Sequence, residues 1–419
     1  MKTEVKNTLW DVAVIGGGPA GMMAAGRAAE RGLRVILLEK NDSLGKKLLI
    51  TGGGRCNVSN AEFDTRKLLE KFKENGKFLF SAFSEWSVEQ TLEFFHSRNM
   101  PTKIEAEKRV FPLSNTAQSV WDVLVEYIKE GKVEILSNSP VTGFIKNGNQ
   151  IEAVRLKNKK EIRAKSFVLA TGGKSRPETG STGDGFVWLK ELGHSVIDQS
   201  SALVPLAIVD DWVKRLQGVT LPVVKITVLQ NGVKQDVKKG KILFTHFGVS
   251  GPTILNLSQD IGELLKYGEV ILSLDVLPTL DYGQLNQKLQ DIFKENDKKK
   301  FKNSLGSLVP TALAPIIVEL SQIDAEKSCN SVSREERLKL VQIFKAMPMK
   351  VSGLLGLEKA VVTSGGVSLD EVDFKTMQSR LFPNLHLVGD ILNIDRPSGG
   401  YSLQLCWTTG YVAGNSIQK

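Results

Sequence analysis

At 419 residues, with 41% hydrophobic and 24% charged content, the chain has the composition of an ordinary soluble protein and room for two or three domains. No apolar run approaches the ~20 residues of a membrane span, and the first ten residues are too short and polar for a secretory signal, so a cytoplasmic protein without a membrane partner is expected. The net charge of +9 invites a nucleic-acid reading, but the lysines are spread out; the densest run, Lys298-Lys299-Lys300 with Lys302, follows Glu295 and Asp297 as a solvated helix end would, so nucleic acid is not the expected partner.

Residues 11–15 form a short apolar run, and Gly16-Gly17-Gly18-Pro19-Ala20-Gly21 follows at once. A small-residue stretch then leads through Arg31-Gly32 to a second apolar run at 35–38, closed by Glu39. That order is strand, glycine turn, helix, strand, acid. Gly16 permits the tight turn, Gly18 lets backbone N–H groups approach a pyrophosphate, and Gly21 lets the helix lie close on the sheet. Pro19 suits the first helical turn, and the unpaired N–H groups there, from Ala20 on, make with the helix dipole a site for negative charge. Glu39, about 20 residues beyond the glycines, can accept from ribose hydroxyls and argues against a 2′-phosphate. Lys40 and Lys47 join the candidate cofactor contacts.

The stretch Thr51-Gly52-Gly53-Gly54-Arg55-Cys56-Asn57 is a second glycine loop. Gly53 and Gly54 can press backbone onto a flat ligand, with Arg55 beside its charged parts and Cys56 and Asn57 next to it. Cys56 has no partner five positions on, where Ala61 stands, so a redox-active cysteine pair is absent. Two roles stay open for it: a thiol with a lowered pKa beside Arg55, or a packing residue near the cofactor. Cys56, Cys329 and Cys406 are too scattered for a disulfide framework or a metal site, the four histidines stand alone, and no metal is expected.

Residues 65–130 read mainly as helices. Ser87 with Gln90 forms a capping box for a helix through His96, whose imidazole is expected to be packed or solvated, and Ser114 or Asn115 caps another helix reaching Tyr127. From 133 the period changes to two. Runs at 141–145, 151–156 and 161–164 make an antiparallel meander that returns through a buried strand at 166–170 to Thr171-Gly172-Gly173. Many flavin-binding Rossmann domains use such a meander in place of a second helical crossover. Val141, Ala170, Thr171 and Gly172 are candidate contacts, as is Asp184 in the close-approach loop Gly180-Ser181-Thr182-Gly183-Asp184-Gly185.

Character changes near Ser195. Residues 203–245 are strand-rich, with a hairpin turn at Asn231-Gly232. Residues 252–347 are mostly helical, with helices after Pro252, at 284–293, at 311–320 and after a cap at Ser333 with Glu336. The expected division is a first part at 1–194, an inserted β plus helical module at 195–347, and a second part of the first domain at 348–419. In that last part, 360–367 read as strand and turn of the main sheet, and 385–388 as a buried strand ending in Gly389-Asp390. A carboxylate at that edge can accept from the ribityl hydroxyls of a flavin. Gly400, Tyr401, Ser402 and Leu403 open a helix to 416 whose amino end favours a reduced, anionic flavin.

Glycines at both ends of the chain thus converge on one long dinucleotide, and FAD fits better than NAD. No second GxGxxG has its own strand, helix and acid, so NAD(P)H has no dedicated domain and stays open only as a diffusible donor.

The motifs resemble a bacterial family of NAD(P)/FAD-dependent oxidoreductases, also described as aminoacetone-oxidase-family FAD-binding enzymes. The resemblance runs nearly end to end, through 16–21, 51–57, Arg109-Val110-Phe111-Pro112, 170–173, 181–185, 244–252, 362–367 and Gly399-Gly400-Tyr401 with Leu403-Gln404. One departure is Gly389-Asp390 followed by Asp395-Arg396-Pro397, where relatives often carry Gly-Glu and a glycine-containing loop. The resemblance implies an α/β fold: a Rossmann-type FAD-binding domain with an inserted module made of a β-barrel-like part and a helical part.

Expected substrate contacts are His246, whose residue type suits proton transfer, Arg396, facing a carboxylate or developing negative charge, and Tyr401, near the ring. For His246 a role anchoring its loop, and for Arg396 a surface position, are the alternatives. The leading expectation is an FAD oxidoreductase of a small molecule, with the family label implying an oxidase of a small amine or aminoketone. An NAD(P)H-fed C=C or enone reductase and a basic RNA-binding flavoprotein are the alternatives. No feature of the sequence indicates an oligomeric state.

Overall fold

The structure, a computed structural model, describes residues 8–356 and 362–419; for 198–202 and 362–363 it describes the backbone alone. The chain divides into two compact units, one formed by the described residues of Met1–Ala202 and Leu357–Lys419, the other by Leu203–Gly356.

The first unit grows from β1 (Trp10–Ile15), whose last four residues are buried, as a strand covered on both faces requires. α1 (Pro19–Glu30) follows, and its small buried residues, Ala20, Gly21, Ala24 and Ala25 among them, let it lie close on its neighbours. β2 (Val35–Leu38) is wholly buried and pairs parallel to β1. β3 (Glu134–Leu136) extends the sheet beyond β2. β4 (Val141–Asn147) and β5 (Gln150–Leu156) form the expected meander with β6 (Glu161–Leu169). β6 is one long strand serving two sheets. Its outer half pairs antiparallel with β5; its inner half lies parallel to β1 on one side and, on the other, to a strand from the end of the chain.

The helices between β2 and β3 follow their caps. The helix Val88–His96 has the expected box of Ser87 and Gln90, and His96 is exposed, with Nε2 2.8 Å from the Thr102 hydroxyl. The helix Ala117–Glu130 is capped by Thr116, not by Ser114 or Asn115: the Thr116 hydroxyl accepts from the Gln118 N–H, while Ser114 bonds the Ser119 hydroxyl. After the helix α2 (Asp184–Glu191), β7 (Val196–Ala202) leads to the second unit.

The second unit is a closed six-stranded barrel with helices against it. Its strands run in the order Leu206–Ile208, Gly248–Ser250, Val233–Thr245, Thr220–Gln230, Val270–Asp275 and Met347–Leu354, the last pairing with the first. Val270–Asp275 lies in a region expected to be helical. Its first five residues alternate buried and half-buried positions, a run too short for period alone to separate strand from helix. The helix Arg334–Lys345 has the expected capping box of Ser333 and Glu336.

On return to the first unit, β8 (Val362–Val367) does not rejoin the main sheet as expected; it pairs antiparallel with β7 in a separate two-stranded ribbon. Ala360 and Val361, read as part of that strand, lie outside the described residues. The expected edges at 195 and 347 differ from this division because β7 belongs with β8, and Met347–Leu354 with the barrel.

β9 (Leu385–Leu387) then enters the main sheet beside β6, and α3 (Tyr401–Ser416) closes the unit. Built Cβ atoms at Gly410 and Gly414 would each stand 2.5 Å from a backbone carbonyl oxygen of α1, that of Ala20 and of Ala24, so only glycine permits this helix contact. A buried polar set holds α3 from its other side: Gln404 bonds Ser59 and Thr91, and the Trp407 indole donates to the Val58 carbonyl at 2.9 Å.

Gly410→Val is expected to destabilise the apo-protein by about 2–3 kcal/mol in denaturant unfolding, since the two backbones must part. A second prediction concerns Asp11 at the start of β1. The Lys165 ammonium at 2.8 Å, aided by the Arg34 N–H and guanidinium, holds the Asp11 carboxyl at about 2 against the opposing effect of partial burial. The folded value lies below the unfolded one, so the stabilisation is full above pH ~4 and fades as pH falls towards ~2. Asp11→Asn is expected to cost about 1 kcal/mol at pH 7, and to cost progressively less in melts taken down that window.

Candidate functional site

Parallel pairing brings Leu38, Ile15, Leu169 and Leu387 into one row across the sheet. The residues that follow them, Glu39, Gly16, Ala170 and, one further on, Gly389, therefore gather at the carboxyl edge, where open α/β sheets bind ligands. A cavity opens there, walled entirely by residues of the first unit.

The glycines of the first turn have separate jobs. Gly16 has φ +105°, and a Cβ on it would meet the Ala170 carbonyl oxygen at 2.5 Å. At Gly21 a Cβ would meet the Gly16 oxygen at 1.9 Å, so Gly21 serves helix packing and does not line the cavity. A Cβ on Gly18 meets nothing within 4 Å, which leaves the backbone open beside Pro19 and Ala20 on the cavity wall. Glu39 is 7% exposed; its carboxylate accepts from the Gly17 and Asn41 N–H groups, both at 2.8 Å.

The loop before α2 faces the segment after β2 across the cavity. Lys40 Nζ bonds the Thr182 hydroxyl at 2.5 Å and the Asp184 carboxylate at 2.8 Å, the Asn41 amide donates to the Thr179 carbonyl at 3.1 Å, and Lys47 donates to the Ser175 hydroxyl at 2.6 Å. Burial pushes the Asp184 carboxyl up, but Lys40 and Thr182 outweigh it and leave it below the usual carboxylate range. Val141, Thr171 and Gly172 complete this side. The Thr171 hydroxyl is buried and has no hydrogen-bond partner among the described residues, a state that a ligand acceptor or donor would relieve.

At the far end Gly389 and Asp390 line the wall together with Ser402 and Leu403 of the first turn of α3. Asp390 is paired with Arg396 and lies 3.6 Å from Lys47. Burial acts to raise its pKa, and the two cations overcome that and hold the carboxyl below its ordinary value.

Other expected positions lie elsewhere. Gly53 and Gly54 are exposed, and neither they nor Asn57 line the cavity. Arg55 pairs with Glu105, bonds Asn115 and lies over the Phe111 ring at 4.1 Å, and it does not line this cavity. Cys56 is fully buried, and burial pushes its thiol up to about 12; it packs and is not an activated thiol. Gly400 caps α3, and Tyr401 packs edge-on against Phe72 at 6.0 Å; neither lines the cavity. Arg396 is not a surface charge, its side chain being 1% exposed. His246 is exposed in a turn of the barrel unit, its ring edge against Phe247 at 4.8 Å. Sequence reasoning missed Asn41, Ser139 and Cys406, which also line the cavity. No local pattern marks the three, although Asn41 and Ser139 follow strands ending at the same edge.

Among the described residues no group of His, Cys, Asp or Glu is placed to hold a metal ion, and no helix is long and apolar enough to cross a membrane. The open backbone at Gly18, the unpartnered Thr171 and carboxylates at both ends suit an elongated ligand with phosphates at its middle and hydroxylated segments on either side.

Comparison with known proteins agrees with this geometry. Residues 10–416 match the family model described as "HI0933-like protein Rossmann domain". The chain is 28% identical to a 3-dehydro-bile acid delta(4,6)-reductase of Clostridium scindens, over 97% of this chain and 99% of that protein. It is 27% identical to a ribosomal RNA dihydrouridine synthase of Escherichia coli, over 97% and 98% of the two chains. Among solved structures, a flavocytochrome c3 fumarate reductase superposes with a TM-score of 0.56 at 17% identity, over 98% of this chain and 78% of that one, a likeness of fold. The chain belongs to the HI0933-like Rossmann family, and it is an FAD-dependent oxidoreductase.

Proposed function

We propose that this protein adds two hydrogens across a conjugated C=C bond of a small molecule, with a reduced nicotinamide as the electron source. The observation that carries the reading is that both near-full-length relatives named above, a delta(4,6)-reductase and a dihydrouridine synthase, have names that describe a C=C bond converted to a single bond. The lack of a partner for Cys56 supports it by removing disulfide chemistry.

In this reading bound FAD would supply two-electron, hydride-level chemistry between a reduced nicotinamide and the β-carbon of the conjugated bond. The chain's own residues hold the cofactor. The turn at Gly18 with the start of α1 takes the pyrophosphate, and Glu39 the ribose of the adenosine. Thr171 and Asp390 hydrogen-bond the flavin half, and the first turn of α3 at Ser402 and Leu403 lends positive partial charge to the flavin's pyrimidine end. The α-carbon takes up a proton from solvent to complete the reduction.

A second reading has one specific observation in its favour. The net charge of +9 suits a polyanion, and with the dihydrouridine synthase relative it points to a pyrimidine base within RNA as the carrier of the C=C bond. The oxidase of a small amine or aminoketone is the competing chemistry.

Anaerobic titration separates these. Bleaching of the flavin by NADH or NADPH, followed by reoxidation on adding a dienone steroid or a uridine-containing RNA, is the expected result. Bleaching by an amine, with peroxide formed in air, would overturn it. A further expectation concerns Gly18→Val. Its side chain would enter open space, so the apo-protein should melt as wild type does, while FAD binding in fluorescence titration weakens by about tenfold or more.

A further inference from the structure

Arg396 is a full guanidinium hidden behind the cofactor cavity. All three of its nitrogens are engaged: Nη2 donates to Asp390, Nη1 to the Ile394 carbonyl at 2.6 Å, and Nε to the Ser402 hydroxyl at 3.1 Å. Those acceptors belong to three consecutive segments, the turn after β9, the loop beyond it, and the first turn of α3. A buried guanidinium is costly unless its donors are satisfied, and here the satisfied donors converge on two residues, Asp390 and Ser402, that line the cavity. The groups facing Asp390 are Arg396, Lys47 and the Cys406 thiol of α3, which burial pushes up to about 12 and so keeps neutral. Arg396 and Lys47 leave the carboxylate acceptor positions to spare, since it offers about four.

We propose that Arg396 is a positioning residue for FAD: it keeps Asp390 charged and aimed at the cofactor's hydroxylated chain, and it draws the start of α3 onto the same wall. This role rests on the FAD reading above and replaces direct contact with substrate. Without the guanidinium, Asp390 keeps only Lys47, 3.6 Å away, against its burial. The carboxyl then takes up a proton at higher pH and becomes a poorer acceptor.

The test is the FAD dissociation constant of reconstituted apo-protein, followed by flavin fluorescence. For Arg396→Met, affinity should fall about tenfold or more between about pH 8 and about pH 5.5, while wild type changes less than about threefold. Arg396→Lys, which restores a charge without the fork, should recover the flat profile at weaker overall affinity. Asp390→Asn combined with Arg396→Met should bind weakly and independently of pH. Should Arg396→Met fail to fold, Arg396→Gln, whose amide nitrogen ends level with the guanidinium Nε and can bond Ser402 without the charge, carries the same comparison. A profile for the charge-removed variant that tracks wild type, or one that persists in the double variant, would overturn the role. Wild-type protein that takes up no FAD at any pH would instead overturn the cofactor reading beneath it.

Discussion

The site depends on strand register. Parallel ladders bring Leu38, Ile15, Leu169 and Leu387 level, and backbone bonds continue the ladder beyond them, from the Gly16 N–H to the Leu38 carbonyl and from the Ala170 N–H to the Ile15 carbonyl. In a sheet whose central strands are buried on both faces, a one-residue slip would turn every side chain to the other face. Register is thus enforced by the core, and the ligand-facing turns inherit its precision.

Onto that edge the chain brings polar groups in two opposed sets. Lys40, Asn41 and Lys47, after β2, reach across to Thr179, Thr182, Asp184 and Ser175 before α2. Asp390, Arg396 and Ser402 tie the end of β9 to the start of α3. Lys47 belongs to both sets, bonding Ser175 and facing Asp390. The two sets are therefore linked through one ammonium group.

What was legible in the sequence was what local chemistry determines. The run from β1 through the glycines to Glu39 carries its own turn, helix start and acid, and Gly389-Asp390 carries the same strand-to-turn signal. Capping boxes at Ser87 and Ser333 were readable because a cap is settled within four residues. Long-range pairing was not legible. Nothing local says that Arg55 answers Glu105 and Asn115, 50 and 60 positions away, instead of a ligand. Arg396 reads as a charge in a loop until β9 and α3 fold around it. The barrel strand Val270–Asp275 looked like part of a helical stretch because its two neighbours in the barrel, Thr220–Gln230 and Met347–Leu354, are remote in sequence.

The contact between α1 and α3 bears on biosynthesis. The glycine turn leaves the ribosome long before α3, the helix that seats against α1 through Gly410 and Gly414. Until α3 follows, the nascent Rossmann strands wait with one flank uncovered and the cavity lacks its wall at Ser402. Any premature stop that removes α3 therefore yields a polypeptide with a recognisable glycine fingerprint and an unfinished cradle.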